Sequence, residues 1–280
     1  MEQHFGAENL GQIADKMETE RMKVVILAGG YGTRIAEESH LRPKPMIEIG
    51  GRPILWHIMK IYSHYGFTDF VICAGYKQHI IKEWFANYFL YNSDITFSFK
   101  NGRNELIVHD QHCEPWEVAV VDTGLDTLTG GRIRRIRRFL DDEPFMLTYG
   151  DGVSDIDIVK LLEFHKRMGK KATITSVKIE QNKGVLDVEN SLVKSFREKS
   201  NLDSARINGG FMVLEPDVFE YLDGDDTFFE KGPMDKMAQE GQLAAYQHNG
   251  FWQCMDTMRE LERLEKLWAT GNAPWKVWES

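Results

Sequence analysis

The stretch Val24-Val25-Ile26-Leu27-Ala28-Gly29-Gly30-Tyr31-Gly32-Thr33-Arg34 decides the fold. Five apolar residues run directly into a loop with three glycines in four positions. A short apolar run bounded by glycine is the pattern of a strand buried on both faces, as in a parallel sheet. The glycines leave backbone N–H groups open to close approach, which makes the loop a cradle for an anion. It lacks the spacing of the dinucleotide fingerprint and the Gly-Lys-Ser/Thr ending of a Walker loop, so both of those classes are excluded. A tight strand-to-loop turn would use the same glycines, and the cations downstream favour the anion reading.

Outward from this strand, short β-branched runs alternate with longer helical ones, the signature of a mostly parallel sheet covered on both faces. Pro53, the 3–4 spacing of Ile54, Leu55, Ile58, Met59 and Tyr62, and Gly66 predict a helix over roughly 53–65. Phe70 to Ala74 is the next strand, and Ile80, Ile81, Trp84 and Phe85 mark the helix after it. Pro144 to Thr148 predicts a third strand ending in Tyr149-Gly150-Asp151-Gly152, followed by a helix through Ile158, Leu161, Leu162 and His165 that stops at Gly169. Beyond it, Ala172 to Ile179, Val185 to Val188, Leu192 to Phe196 and Ile207 to Leu214 predict a β-rich distal half. Leu261, Leu264 and Leu267 predict a last helix, with Trp275 and Trp278 trailing behind it. Residues 1–21 are expected to be a leader, with a short amphipathic helix through Leu10, Ile13, Ala14 and Met17 or no order at all. One α/β domain is expected over 22–280.

Composition narrows the function classes. The chain has 280 residues, 34 Lys and Arg against 43 Asp and Glu, and a net charge of −9, which argues against a nucleic acid polymer as partner. No apolar run approaches the roughly 18 residues that cross a bilayer, so no membrane insertion is expected. Cys73, Cys113 and Cys254 are odd in number and far apart, a usage that fits the cytoplasm. The arginines of Arg132 to Arg138 alternate with Ile133, Ile136 and Leu140 and precede three acidic residues. They read as a solvated helix face, with Arg132 the exception.

Two kinds of charge carry the chemistry. Arg34 and Lys44 follow the glycine loop, and Lys44 lies between Pro43 and Pro45, which stiffen the backbone on either side. A guanidinium fork and a point-charge ammonium beside a backbone cradle suit a triphosphate. Asp151 stands between two glycines just past a buried strand, where ligands gather in α/β sheets. Asp256 follows the largely apolar Gly250-Phe251-Trp252-Gln253-Cys254-Met255, where an unpaired carboxylate would be costly. Converging, the two aspartates would suit Mg²⁺, which takes a few carboxylates plus substrate oxygens. Taken singly, Asp151 could be a turn residue and Asp256 a helix N-cap.

Together, Ala28 to Arg34, Pro43-Lys44-Pro45 and Gly150-Asp151-Gly152 resemble the sugar-1-phosphate nucleotidyltransferases. Glu114-Pro115-Trp116, Val121-Asp122-Thr123-Gly124, Thr129-Gly130-Gly131-Arg132, Asn208-Gly209-Gly210-Phe211 and Met255-Asp256-Thr257 resemble one branch, the glucose-1-phosphate cytidylyltransferases. The resemblance runs from Met22 to Glu279. It implies a Rossmann-like nucleotidyltransferase fold, a mostly parallel central sheet with helices on both faces and a β-rich distal half. The reaction it implies converts CTP and α-D-glucose 1-phosphate to CDP-glucose and pyrophosphate by in-line displacement, with Mg²⁺ as cofactor. By position, Arg34 and Lys44 would be catalytic; Leu27, Gly29, Gly30, Gly32, Thr33, Thr123, Gly124, Arg132 and Asp151 would hold the nucleotide; and Asp151 and Asp256 would hold the metal. Tyr149, Glu198, Lys199, Asn208 and Gly209 would meet the sugar phosphate. The resemblance also implies a homo-oligomer and a product that feeds CDP-linked deoxyhexoses of surface lipopolysaccharide. The sequence departs from the family at Gln181-Asn182-Lys183-Gly184, at Ser200 and at Cys254, where the family carries a Gly-Arg-Phe-Gly stretch and two prolines. Another sugar phosphate or another nucleoside triphosphate therefore stays open as an alternative, as does a non-catalytic nucleotide-binding regulator.

Overall fold

The computed structural model describes residues 22–178, 185–189, 192–197 and 206–279. The expected leader over 1–21 and the family departures at 181–184 and Ser200 lie outside the described residues. In chain order the main elements are β1 (Val24–Ala28), α1 (Ile54–His64), β2 (Asp69–Ala74), α2 (Gln78–Ala86), β3 (Ser93–Ser98), β4 (Glu105–Gln111), β5 (Glu117–Asp122), α3 (Thr129–Arg135), β6 (Phe145–Tyr149) and β7 (Gly152–Ser154). There follow α4 (Ile158–Met168), β8 (Ala172–Lys178), β9 (Val185–Glu189), β10 (Leu192–Arg197), β11 (Arg206–Asn208), β12 (Met212–Leu214), α5 (Pro233–Gln239), β13 (Leu243–His248), β14 (Trp252–Cys254) and α6 (Met258–Ala269).

The strand that opened the sequence reading is the axis of the sheet. Strand β1 pairs in parallel with β2 on one side and β6 on the other, and β5 adds in parallel to β2. All five residues of β1 are buried, because alternate side chains feed two cores. Val24, Ile26 and Ala28 face the layer containing α1 and α6, while Val25 and Leu27 face the layer containing Ile133 and Phe229. A strand covered on both faces needs this unbroken apolar run. Past β6 the sheet changes character: β12 pairs antiparallel with β6 and with β8, and β13 pairs parallel with β8. The expected single run Ile207 to Leu214 is two strands, both antiparallel to β8, because Gly209-Gly210 breaks the ladder between them. The exposed hairpin β3–β4 was not expected, although Ile95, Phe97 and Phe99 alternate with Thr96 and Ser98.

Helix boundaries follow local chemistry. Helix α1 starts after Pro53 at φ −54°. The Asp157 carboxylate caps α4 by accepting from Lys160 N at 3.0 Å, and Gly169 closes the helix in the left-handed region at φ 56°. The aromatic tail packs on the body of the protein around His57. Trp275 is fully buried, and the His57 ring meets Trp268 edge-on at 4.6 Å. His57 Nε2 stands 2.8 Å from the Ile49 carbonyl, which can only accept, and Nδ1 receives the Trp275 indole N–H at 3.3 Å. Both contacts are satisfied by a neutral ring with its hydrogen on Nε2.

Burial pushes the His57 pKa down to about 4. An unfolded chain takes up this proton from about pH 6.5, so the native state is penalised as pH falls from there toward 4. Urea titrations should show stability dropping through that window by on the order of 2–3 kcal/mol. In His57→Gln, stability at pH 7 should be lower and the acid slope flatter; an unchanged slope would exclude His57 as its source.

Candidate active site

At the carboxyl ends of β1 and β6 lies a cleft of about 450 Å³. One pairing just past it brings Asp151 and Asp256 together: β7 and β14 run antiparallel, with Gly152 opposite Cys254 and Ser154 opposite Trp252. Met255 N then donates to the Asp151 carbonyl at 2.8 Å. The two aspartates thus lie at the same end of one short ladder, although 105 positions separate them in the sequence. Helix α6 keeps Asp256 available. Thr257 is its N-cap and forms a capping box with Glu260, whose Oε2 accepts from the backbone N–H groups of Thr257 (2.8 Å) and Asp256 (2.7 Å). The Asp256 carboxylate is therefore not consumed in capping.

Both carboxylates close on Lys44. Its Nζ donates to Asp151 Oδ2 and to Asp256 Oδ1, each at 2.5 Å, and Arg34 donates to Asp256 Oδ2 at 2.7 Å. Lys44 is 7% exposed, whereas the Arg34 side chain is 72% exposed. Burial opposes the charge on Lys44, but the charges and hydrogen bonds of the two aspartates outweigh it and raise its pKa above 10.5. Burial likewise opposes the charge on Asp256, and Lys44 with Arg34 reverses this and lowers its pKa. Each of these two shifts favours the charged form.

The glycine loop is held from below by Arg132, 4% exposed. Its guanidinium donates to the carbonyls of Gly29 (3.0 Å), Gly124 (2.7 Å) and Leu125 (3.1 Å) and to Thr123 Oγ1 (2.8 Å). Thr123, fully buried, donates in turn to the Ala74 carbonyl at 2.7 Å. Every one of these acceptors is neutral, and burial lowers the Arg132 pKa. A Cβ on residue 29 would stand 2.1 Å from Arg132 Nη1, so glycine there is a condition of this contact. Tyr31, 43% exposed, closes the loop against the opposite rim by donating to Asp126 at 2.7 Å.

Of the residues singled out in the sequence, Leu27, Gly29, Gly30, Gly32, Thr33, Arg34, Lys44, Arg132, Tyr149 and Asp151 line the cleft. Thr123 and Gly124 form the framework beneath the loop. Asn208 donates to the Tyr149 hydroxyl at 3.2 Å, and the Gly209 carbonyl accepts from the Trp252 indole at 2.7 Å. Glu198 and Lys199 lie outside the described residues. Sequence reasoning passed over Phe228 and Leu128, which line the cleft, and Glu230, which bonds Tyr149; no motif or spacing flags an acidic residue that follows two phenylalanines.

The guanidinium of Arg132 stitches two loops together, and an ammonium has too few donors to replace it. Arg132→Lys is expected to lower stability by about 1–3 kcal/mol through unsatisfied carbonyls. Calorimetric melting at wild-type Tm would refute the stitching role.

A family model described as nucleotidyl transferase matches residues 23–266. A glucose-1-phosphate cytidylyltransferase of Salmonella typhi is 54% identical over 259 residues, covering 92% of this chain and 100% of that protein. Its namesake in Salmonella typhimurium has the same identity and coverage. Among solved structures, HddC from Yersinia pseudotuberculosis superposes with a TM-score of 0.64 at 23% identity, over 88% of this chain and 99% of that one. That likeness concerns the fold. A parallel sheet ending in a glycine loop, with a lysine between two aspartates at the strand ends, agrees with the family match over most of the length: the chain is a member of the nucleotidyl transferase family.

Proposed function

We propose that the protein is a glucose-1-phosphate cytidylyltransferase, converting CTP and α-D-glucose 1-phosphate to CDP-glucose and pyrophosphate. The observation that carries this reading is the convergence of Lys44, Arg34, Asp151 and Asp256 beneath the glycine loop, combined with 54% identity to relatives of that name. The same cluster counts against a non-catalytic regulator, which would have no use for paired carboxylates. The backbone N–H groups of Gly29, Gly30 and Gly32 would face the phosphates, while Lys44 and Arg34 neutralise them. A sugar phosphate oxygen is already ionised at neutral pH. The chain's task is therefore to position it in line with the α-phosphorus and to neutralise charge, without a general base or a covalent intermediate.

The donor set suits Mg²⁺. Among the described residues no group of three or more acidic, His or Cys side chains could hold a metal, but Asp151 and Asp256 already converge on one point charge, the Lys44 ammonium. Two carboxylates with open positions for phosphate oxygens are what a nucleotide-borne Mg²⁺ requires. Bound there, the ion would neutralise phosphate charge and orient the nucleotide.

The exposed hairpin supports a homo-oligomer. Phe97, Phe99, Leu106 and Ile107 are 45–73% exposed along β3–β4, an apolar surface that a lone subunit would leave in water. Cys73, Cys113 and Cys254 are all unpaired, which fits the cytoplasm, and the resemblance favours a role in supplying CDP-linked sugars for lipopolysaccharide. Among the described residues no helix is long and apolar enough to cross a membrane.

Pyrophosphate release measured with each nucleoside triphosphate and a panel of sugar 1-phosphates is the direct test; no turnover with CTP would sink the reading. Asp151→Asn and Lys44→Ala are each expected to cut turnover at least ~100-fold, as when a transition-state electrostatic contact is lost. A near-normal rate in either folded variant would remove that residue from the mechanism. Light scattering after size-exclusion should give a larger mass for wild type than for Phe97→Glu/Ile107→Glu. Equal masses would detach the hairpin from assembly.

A further inference from the structure

Glu230 bonds two residues that line the cleft, Thr129 and Tyr149. It closes a segment laced to the start of α3: Leu128 N donates to the Asp225 carbonyl (2.8 Å), Gly130 N to the Thr227 carbonyl (2.9 Å) and Phe229 N to Thr129 Oγ1 (2.9 Å). The fit requires glycine at 130 and 131, where a Cβ would lie 2.7 Å from Thr227 Cγ2 and 2.6 Å from Asp225 Cα. So placed, Glu230 accepts from Thr129 Oγ1 with Oε2 and from the Tyr149 hydroxyl with Oε1, both at 2.6 Å. The Tyr149 oxygen accepts from Asn208 Nδ2, and Asn208 Oδ1 accepts from Gly210 N at 3.0 Å.

Proton directions along this chain are fixed. An ionised carboxylate only accepts, so both hydroxyls must donate to Glu230. The hydrogen of Tyr149 is thereby committed. One lone pair of its oxygen is taken by Asn208, and what it offers the cleft is the other. A phenol free to rotate could present either a donor or an acceptor; this one presents an acceptor. Burial and the neighbouring Glu230 charge both raise the Tyr149 pKa, keeping the phenol protonated as this arrangement needs.

We propose that Glu230 is a positioning residue for the sugar 1-phosphate: it orients Tyr149 as an acceptor for a sugar hydroxyl and fastens that end of the cleft to Thr129 on the nucleotide side. Glu230 acts through Tyr149 and does not touch substrate. The inference rests on the assignment of the cleft to a nucleotide and a sugar 1-phosphate.

Steady-state kinetics on wild type, Glu230→Gln, Tyr149→Phe and the double variant test it, using whichever sugar 1-phosphate wild type turns over. Glutamine keeps the shape of Glu230 but replaces one acceptor oxygen with a donor, so it cannot receive both hydroxyls. Each single variant should raise KM for the sugar 1-phosphate about 5- to 20-fold, the range for one lost hydrogen bond. KM for the nucleotide should stay within about 2-fold, and the double variant should be little worse than the poorer single, as for coupled residues. An unchanged sugar KM, equal rises in both KM values, or full additivity overturns the proposal. If Glu230→Gln does not fold, Tyr149→Phe, which removes one oxygen, reads the same split. Wild type that turns over no sugar 1-phosphate overturns the underlying assignment as well, whereas active wild type with additive variants overturns the Glu230 role alone.

Discussion

The site depends on one ammonium held by two carboxylates. Asp151 and Asp256 face the same small volume, and without a cation between them their repulsion would drive one to take up a proton or push the strands apart. Lys44 Nζ, 2.5 Å from both, removes that repulsion. It can do so because Pro43, at φ −66° and ψ 147°, and Pro45 fix the turn that carries it. Breaking such a half-buried cluster by deleting one member leaves uncompensated charge, which is why its geometry constrains three distant parts of the chain at once. In the proposed reaction the same ammonium would also meet phosphate, so structural and catalytic demands fall on one side chain.

Arg132 solves a different problem with the same sign of charge. Its partners are all neutral, so its positive charge is left uncancelled beneath the glycine loop. Lys44 and Arg34 are balanced by Asp151 and Asp256, so among the described residues Arg132 is the cation of the cleft that no hydrogen-bonded carboxylate offsets, in a chain whose net charge is −9. Low-dielectric walls strengthen such a field, and a triphosphate is the kind of ligand that would feel it. An acidic total and an anion-binding cleft are therefore compatible. The first governs the distant surface, the second a volume only a few ångströms across.

How much was legible in the sequence follows from whether the deciding forces are local. The strand Val24–Ala28, the helix after Pro53 and the stop at Gly169 are written in neighbouring residues, and the structure has them within a residue or two of the expected positions. The loop glycines and Lys44 were readable because backbone freedom and proline stiffness are local properties. The meeting of Asp151 with Asp256 was expected from the family resemblance alone, since it is made by the pairing of β7 with β14, a contact between segments about a hundred residues apart. Glu230 was invisible for the same reason: its partners Thr129 and Tyr149 lie 101 and 81 positions away. The hairpin β3–β4 was missed on other grounds: β3 alternates, but its Phe97 and the following Phe99 stay in solvent instead of facing a core, and β4 holds its apolar Leu106, Ile107 and Val108 in one exposed run.

Cys254 shows how this site holds a titratable neighbour neutral. The chain places there a thiol whose Sγ lies 3.5 Å from Asp256 Oδ2 and 4.0 Å from Glu260 Oε1. A thiolate there would add a third negative charge and compete for Lys44. Burial, and then the charges of Asp256 and Glu260, push its pKa up to about 12, so the sulfur stays protonated and donates toward Asp256. The charge count of the cluster is then unchanged, two carboxylates against Lys44 and Arg34. Cys254 also stands opposite Gly152 in the ladder that joins the aspartates. The thiol beside Asp256 is thus electrostatically silent, because burial and the carboxylates themselves hold it neutral.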